Sequence, residues 1–199
     1  MAIGISGKIR SGKSRVAKTI IEILGKSGKE AEVKSFAEPI YKIMSGIYKS
    51  DIRTIKKHKQ ANTPIYMKVP RTSISNGFLE SNYRQIMQSI GAGARDYGDD
   101  DIWVNTLFGT NNEKFNDSNS VWIIEDLRFP NEAKRIRECD GLLIRVERKM
   151  HQPNDHSIEN SLNNWQDWDL IIENNFETKK KRNKGLRKIL DSYLSGVVI

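Results

Sequence analysis

Eight residues near the start of the chain, Gly7-Lys8-Ile9-Arg10-Ser11-Gly12-Lys13-Ser14, fit the spacing G-x-x-x-x-G-K-[ST]. Glycines at both ends let the backbone turn tightly, so that successive N–H groups face inward and cradle phosphate oxygens. An ammonium at Lys13 can reach the outer phosphates of a nucleoside triphosphate, and a hydroxyl at Ser14 can hold Mg²⁺. A second candidate group is Asp126, which follows the apolar run Val121-Trp122-Ile123-Ile124. In a chain with a phosphate loop, a carboxylate there can orient Mg²⁺ or assist the attacking oxygen; it can equally cap the helix that begins near Pro130. Arg128 stands two residues on. Its planar guanidinium can grip a phosphate bidentately, or it can form an ordinary surface ion pair.

These groups need elements to position them, and the sequence supplies an alternation of strand and helix signals. Ala2 to Ser6 reads as a strand before the loop, and Val16, Ile20, Ile23 and Leu24 recur at helical spacing after it. Further strands are expected over Glu32–Ala37, Ser120–Asp126, Gly141–Val146 and Asp169–Glu173. Helices are expected from Pro39, from Asn82 to Ala94, over Ile102–Phe108, from Pro130 and near Leu186 to Leu194. The expected fold is α/β: a three-layer α/β/α sandwich of the P-loop NTPase kind around a mostly parallel five-stranded sheet. Residues about 50 to 82 carry Pro64, Pro70, Gly77 and many charges with little periodicity, and read as a flexible excursion from a single domain spanning 1–199. The polar stretch from about 149 to 160 reads as a lid that excludes water during transfer.

Composition narrows the partners. With 33 Lys and Arg against 25 Asp and Glu the formal charge is +8, which favours an anionic partner without choosing between nucleotide and nucleic acid. The excess gathers at Lys49–Lys59 and Lys179–Lys188; the second reads as a surface segment leading to a final helix. Neither cluster interleaves aromatics, and no helix-turn-helix or zinc pattern is present, which argues against nucleic acid. Cys139 is the only cysteine, and no apolar run approaches the length that crosses a bilayer, so a cytoplasmic protein without disulfides is expected.

Five collinear segments carry a resemblance. Asp126-Leu127-Arg128-Phe129-Pro130-Asn131-Glu132 resembles the D-x-R-[FQ]-x-x-E strand-end segment of bacteriophage deoxynucleoside monophosphate kinases. Ser35-Phe36-Ala37-Glu38-Pro39-Ile40 is similar to their F-A-[DG]-P-[IL] stretch, and Tyr83 to Gly91 to their R-x-[LI]-[LM]-Q-x-[LI]-G helix. Asp101-Ile102-Trp103-Val104-Asn105 is similar to a following x-x-W-V-x, and His156-Ser157-Ile158-Glu159 to a late H-x-[ST]-E.

The resemblance implies transfer of the γ-phosphoryl group of ATP to a deoxynucleoside monophosphate, with Mg²⁺ on Ser14 and Asp126; the loop and the late-strand acid by themselves also suit a kinase of another phosphorylated small molecule or a nucleic-acid-binding ATPase. Such a transfer needs positioning and positive charge more than a strong base, because the attacking phosphate oxygen is already anionic. Lys13, Arg128 and Asp126 are then the catalytic candidates. ATP falls to Gly7, Lys8, Arg10, Ser11, Gly12, Lys13, Ser14, Arg15, Arg148 and Asn174. The monophosphate falls to Phe36, Ala37, Lys42, Arg84, Gln88, Arg95, Trp103, Asp126, Arg128 and Glu132. Trp103 either stacks on a base or belongs to the core, and Arg95 either faces the cleft or solvent. Asn174-Asn175 either meets the adenine edge or forms a turn. His156 reads as lid or support. The family's lysine after the proline-aliphatic pair is replaced by Tyr41, with Lys42 one residue on, about 100° around a helix. A homodimer is left open, and host cytoplasm is the expected location for a phage protein.

Overall fold

A computed structural model describes residues 1–68, 78–116, 119–149 and 161–196 of the 199-residue chain. The expected lid beyond Lys149, with His156, lies outside the described residues. In chain order the first elements are β1 (Ala2–Ser6), α1 (Lys13–Lys26), β2 (Ala31–Lys34), α2 (Glu38–Tyr48) and α3 (Ile52–Ala61). Next come β3 (Pro64–Lys68), β4 (Phe78–Asn82), α4 (Tyr83–Asp96), α5 (Ile102–Phe108) and the short α6 (Glu113–Asn116). The last are β5 (Val121–Ile124), α7 (Pro130–Glu138), β6 (Leu142–Glu147), β7 (Leu170–Glu173) and α8 (Lys179–Leu194). The chain divides into two compact units, one made of Met1–Phe36 and Val104–Ile199, the other of Ala37–Trp103.

The first unit holds a five-stranded sheet in the order β2-β5-β1-β6-β7, every pairing parallel. Its short buried strands, such as Val-Trp-Ile-Ile in β5, are the continuous apolar runs that a sheet covered on both faces requires. Ile3 and Ile5 of β1, with Ile144 and Val146 of β6, pack with Val16, Ile20 and Ile23 of α1 and Leu186 and Leu190 of α8. Burial of each such side chain contributes roughly 1.5–3 kcal/mol. Gly4, between the two isoleucines, faces the opposite way, where a Cβ would run into Ile136 of α7 and Leu127. The third layer can therefore approach only because that position lacks a side chain. The chain leaves β1 toward β2 and later crosses to β6 on the other side, so the C-terminal end of β1 lies at the switch point where open α/β sheets bind ligands.

The second unit differs from the flexible excursion expected over 50–82. Asp51 caps α3, accepting from the Thr54 backbone N–H at 2.9 Å and its hydroxyl at 2.7 Å, and Ile55 is fully buried. β3 and β4 then pair antiparallel, with Pro64 opposite Asn82. Hydrophobic periodicity hides this helix because seven of its ten residues are polar and a single buried isoleucine anchors it. The compact unit is also wider than expected, beginning at Ala37. α8 begins at Lys179, so the second basic cluster is the first half of the last helix instead of a segment leading to it.

Candidate active site

The loop after β1 is shaped by two glycines that no other residue could replace without strain. Gly7 has φ 150° and Gly12 φ 110°. A Cβ on Gly7 would meet the Val146 carbonyl oxygen and Ser11 Oγ, and one on Gly12 would meet Asn174 Nδ2. Arg10, at the loop's crest, has φ 60°. The Ser11 N–H donates to the Lys8 carbonyl at 3.1 Å, closing the turn, and Lys13 Nζ donates to the carbonyls of Gly7 at 2.5 Å and Lys8 at 3.0 Å. The ammonium thus lies across the mouth of its own loop at the N-terminal end of α1, where the helix dipole adds positive potential.

Asn174 supports the loop from below. Its side chain, 2% exposed, donates from Nδ2 to the Ser11 carbonyl at 2.6 Å, while its N–H donates to the Glu147 carbonyl at 2.7 Å. Of the two readings open for this residue, adenine edge or turn, neither describes where its amide goes: it is directed into the loop, as the close packing of Gly12 on it requires. Arg148 donates to the Arg10 carbonyl at 3.5 Å, bringing a second guanidinium to the same rim. Arg145 lies beneath, level with Ser6 in the β1–β6 register; it donates to Ser6 Oγ at 3.2 Å and stacks over Trp168 at 5.6 Å. Burial lowers its guanidinium from the usual value.

Asp126 lies two residues beyond Ile124, the partner of Gly4 in the β1–β5 register, which sets it beside the start of the loop. Its carboxylate accepts from the Ser35 hydroxyl at 2.7 Å and the Phe36 N–H at 3.2 Å, tying the ends of β5 and β2 together. The amides at the start of α7 are taken by another acid. Glu132 Oε2 accepts the N–H groups of Arg128 at 2.7 Å and Phe129 at 3.0 Å, and the residue is 3% exposed. Glu132 was expected to touch the monophosphate; it is buried as the cap of α7 and fixes the backbone of Arg128. Glu132→Ala is expected to destabilise the protein by about 2 kcal/mol, because two amides lose their acceptor. Thermal unfolding checks this: a drop of about 4–8 °C is expected, largely restored in Glu132→Gln, and an unchanged midpoint would disprove the capping role.

Arg128 is half-buried, and its guanidinium has no ion pair among the described residues, so the surface-pair alternative is not realised. Phe36, expected to line a pocket, is 3% exposed and belongs to an aromatic cluster, 6.1 Å from Phe108, which also contacts Phe115 and Trp122. Its apolar ring is more stable inside that cluster than at a wet phosphate site.

In the second unit, Ala37 precedes α2, its carbonyl accepting the Tyr41 N–H at 3.1 Å. Lys42 pairs with Glu38 at 2.9 Å on the exposed side of α2. Tyr41 is buried, and its hydroxyl receives Lys59 Nζ at 2.8 Å, which occupies part of the first basic cluster. Arg84 and Gln88 are half-buried one turn apart on α4. Trp103 is 5% exposed and donates its indole N–H to the Gly91 carbonyl at 3.0 Å, and Arg95 donates to the same carbonyl at 3.1 Å. Trp103 is therefore core, as the alternative reading had it, and Arg95 closes the end of α4. The partnership of Ser35 with Asp126 was not foreseen, although both stand in segments that the sequence marks.

Among the described residues no group of three or more His, Cys, Asp or Glu could hold a metal by itself. Mg²⁺ in phosphoryl-transfer sites keeps most of its ligands as phosphate oxygens and water, and needs only one or two hard oxygen donors from the protein. The Ser14 hydroxyl and the Asp126 carboxylate are donors of that kind, so the residues present fit the ion. Among the described residues no helix is long and apolar enough to cross a membrane.

Comparison with known proteins adds the family. The profile of the deoxynucleotide monophosphate kinases matches residues 55–184, which include Arg84, Asp126, Arg128 and Asn174; the phosphate loop precedes that segment. A protein of Acanthamoeba polyphaga mimivirus named "Putative deoxynucleotide monophosphate kinase" is 28% identical over 189 residues, covering 87% of this chain and 88% of its own. Among solved structures, that of APE1195 is 13% identical with a TM-score of 0.40, covering 100% of this chain and 96% of its own. An unliganded sugar kinase from Janibacter sp. HTCC2649 is 12% identical with a TM-score of 0.39, covering 98% and 94%. With its profile matched across more than half the sequence, this chain belongs to the deoxynucleotide monophosphate kinase family.

Proposed function

We propose that this kinase transfers the γ-phosphoryl group of ATP to the phosphate of a deoxynucleoside monophosphate, giving ADP and a deoxynucleoside diphosphate. The observation that supports this most is the glycine loop at the C-terminal end of β1, with Asp126 closing the neighbouring strand, in a member of that family. In this reading the loop amides and Lys13 hold the β- and γ-phosphates, with Arg10 and Arg148 at the rim, while Arg15, also expected on ATP, lines a groove between α1 and α8 instead. Lys13, which donates to the carbonyls of Gly7 and Lys8, turns from them to meet the phosphates. Asn174 acts through the loop, holding the Ser11 carbonyl so that the cradle keeps its curvature. The acceptor's phosphate oxygen attacks the γ-phosphorus in line, and charge on the equatorial oxygens is met by Lys13 and Arg128. Mg²⁺, when held by Ser14, Asp126 and the ATP phosphates, supplies further charge neutralisation. Lys42, Arg84, Gln88 and Arg95 are candidates for binding the monophosphate in this reading.

An acceptor screen tests the proposal: the full chain with γ-labelled ATP and each of the four common deoxynucleoside monophosphates and their ribose counterparts. Transfer of label to at least one deoxynucleotide, abolished in Lys13→Ala, is expected. Robust ATP turnover with no labelled nucleoside diphosphate from any of the deoxynucleotides would overturn it.

A further inference from the structure

α1 and α8 lie on the same face of the sheet, and each follows a parallel strand, so both begin at the sheet edge that carries the phosphate loop. Between them runs a groove of about 340 Å³, lined by Arg15, Thr19 and Glu22 from α1 and Lys180, Asn183, Lys184 and Arg187 from α8. Spacings of three, four and seven residues put these side chains along one stripe of each helix. Four cations thus face a single carboxylate. None of Gly7 to Ser14 lines the groove, and Thr19 and Glu22 lie roughly 6 and 10 Å farther along α1 than Arg15. The groove therefore runs away from the loop.

Its polar groups are incompletely matched within the protein. Arg15 Nε and Asn183 Oδ1 are buried and lack hydrogen-bond partners among the described residues. Lys180 and Lys184 are exposed and form no ion pair there, whereas Lys181 pairs with Glu177 and Arg187 with Asp191. The start of α8 also contradicts the rule for helix ends. Lys179-Lys180-Lys181 occupy the first turn with no acid among them, and although Glu177 pairs with Lys181, the ammonium groups of Lys179 and Lys180 remain at the positive pole of the helix. A departure from local consistency of this kind points to a compensating ligand.

We propose that this groove is a second anion site, separate from the phosphate loop, that takes a short phosphate chain: inorganic tripolyphosphate or the triphosphate of a nucleotide. Its volume is that of a small-molecule site. It has no aromatic lining on which the bases of a nucleic-acid strand could stack. Ammonium groups on flexible stems and the forked guanidinium of Arg15 suit phosphate oxygens spaced along a chain. Glu22, at the far end, repels an anion and limits how far along α1 the chain can extend. Arg15 directly follows Ser14 of the loop, so occupancy of the groove acts on the donor site through that side chain.

The test is equilibrium binding of inorganic tripolyphosphate, and separately of dATP, to the full chain, to Lys13→Ala and to the double variant Lys180→Gln/Lys184→Gln. Both exposed lysines can be replaced without loss of packing, and circular dichroism and thermal unfolding verify that the fold is kept. Two classes of site are expected in the wild-type protein. Lys13→Ala should weaken one class and leave the other unchanged, while the double variant should weaken the second about tenfold and keep the first. Similar groove binding of both ligands by Lys13→Ala marks the phosphate chain as the recognised part; much tighter dATP marks a nucleotide; either supports the site. A single class of site abolished by Lys13→Ala, or a double variant that binds as the wild type does, overturns the proposal.

Discussion

Lys13→Ala is expected to lower kcat for phosphoryl transfer by about a thousandfold while leaving the thermal midpoint nearly unchanged. The expectation comes from what the ammonium touches. Its donors reach the carbonyls of Gly7 and Lys8, on its own loop, and those carbonyls can turn to water when the side chain is cut back. The fold therefore loses little. In the transition state the same ammonium meets charge spreading over the transferred phosphoryl oxygens, where a fixed cation in a partly dehydrated cradle is worth far more than in water. Steady-state turnover with saturating ATP checks this, alongside calorimetry of the variant. A kcat within tenfold of wild type would show that Lys13 is not the group that meets the transferred phosphate.

The second large effect is expected at Arg128. Arg128→Ala should reduce turnover by about a thousandfold, and Arg128→Lys should recover only part of it, because a point charge cannot reproduce two parallel N–H donors. The structure prepares the residue for such a role without using it elsewhere. Glu132 holds its backbone N–H at 2.7 Å, the side chain is half-buried, and no described carboxylate neutralises the guanidinium. Comparing KM for the monophosphate with kcat separates two forms of the idea. A rise in KM alone marks an anchor for the acceptor, and a fall in kcat alone marks contact with the transferring group. If Arg128→Ala changes neither, the assigned role is wrong.

The segments of the chain were legible to different degrees. α5 runs over the expected Ile102–Phe108, and the strands around Val121, Leu142 and Leu170 lie within a residue or two of their apolar runs; of these β5 is buried and apolar throughout, as a central strand must be. The end of the second strand was overextended: Ser35 and Phe36 leave β2 to meet Asp126. α3 was missed because its polar face dominates a short helix with one buried anchor, Ile55. Among the site residues, Trp103 and Glu132 carry family-like positions but spend their polar atoms on protein backbone. Spacing marks such residues as important without saying whether a ligand or the chain itself receives their hydrogen bonds.

The sequence by itself determined the phosphate loop, its lysine and serine, and the strand and helix on either side. All of these depend on neighbours within a few residues, where glycine conformations and periodicity act directly. Only the tertiary structure decided that Asp126 joins Ser35, 91 positions away, that Asn174 braces Ser11 from 163 positions away, and that the cations of α8 line a groove with α1. Those juxtapositions follow from strand order in the sheet. Strand order is set by how the helices cover its two faces, a property of the whole chain that no local stretch encodes.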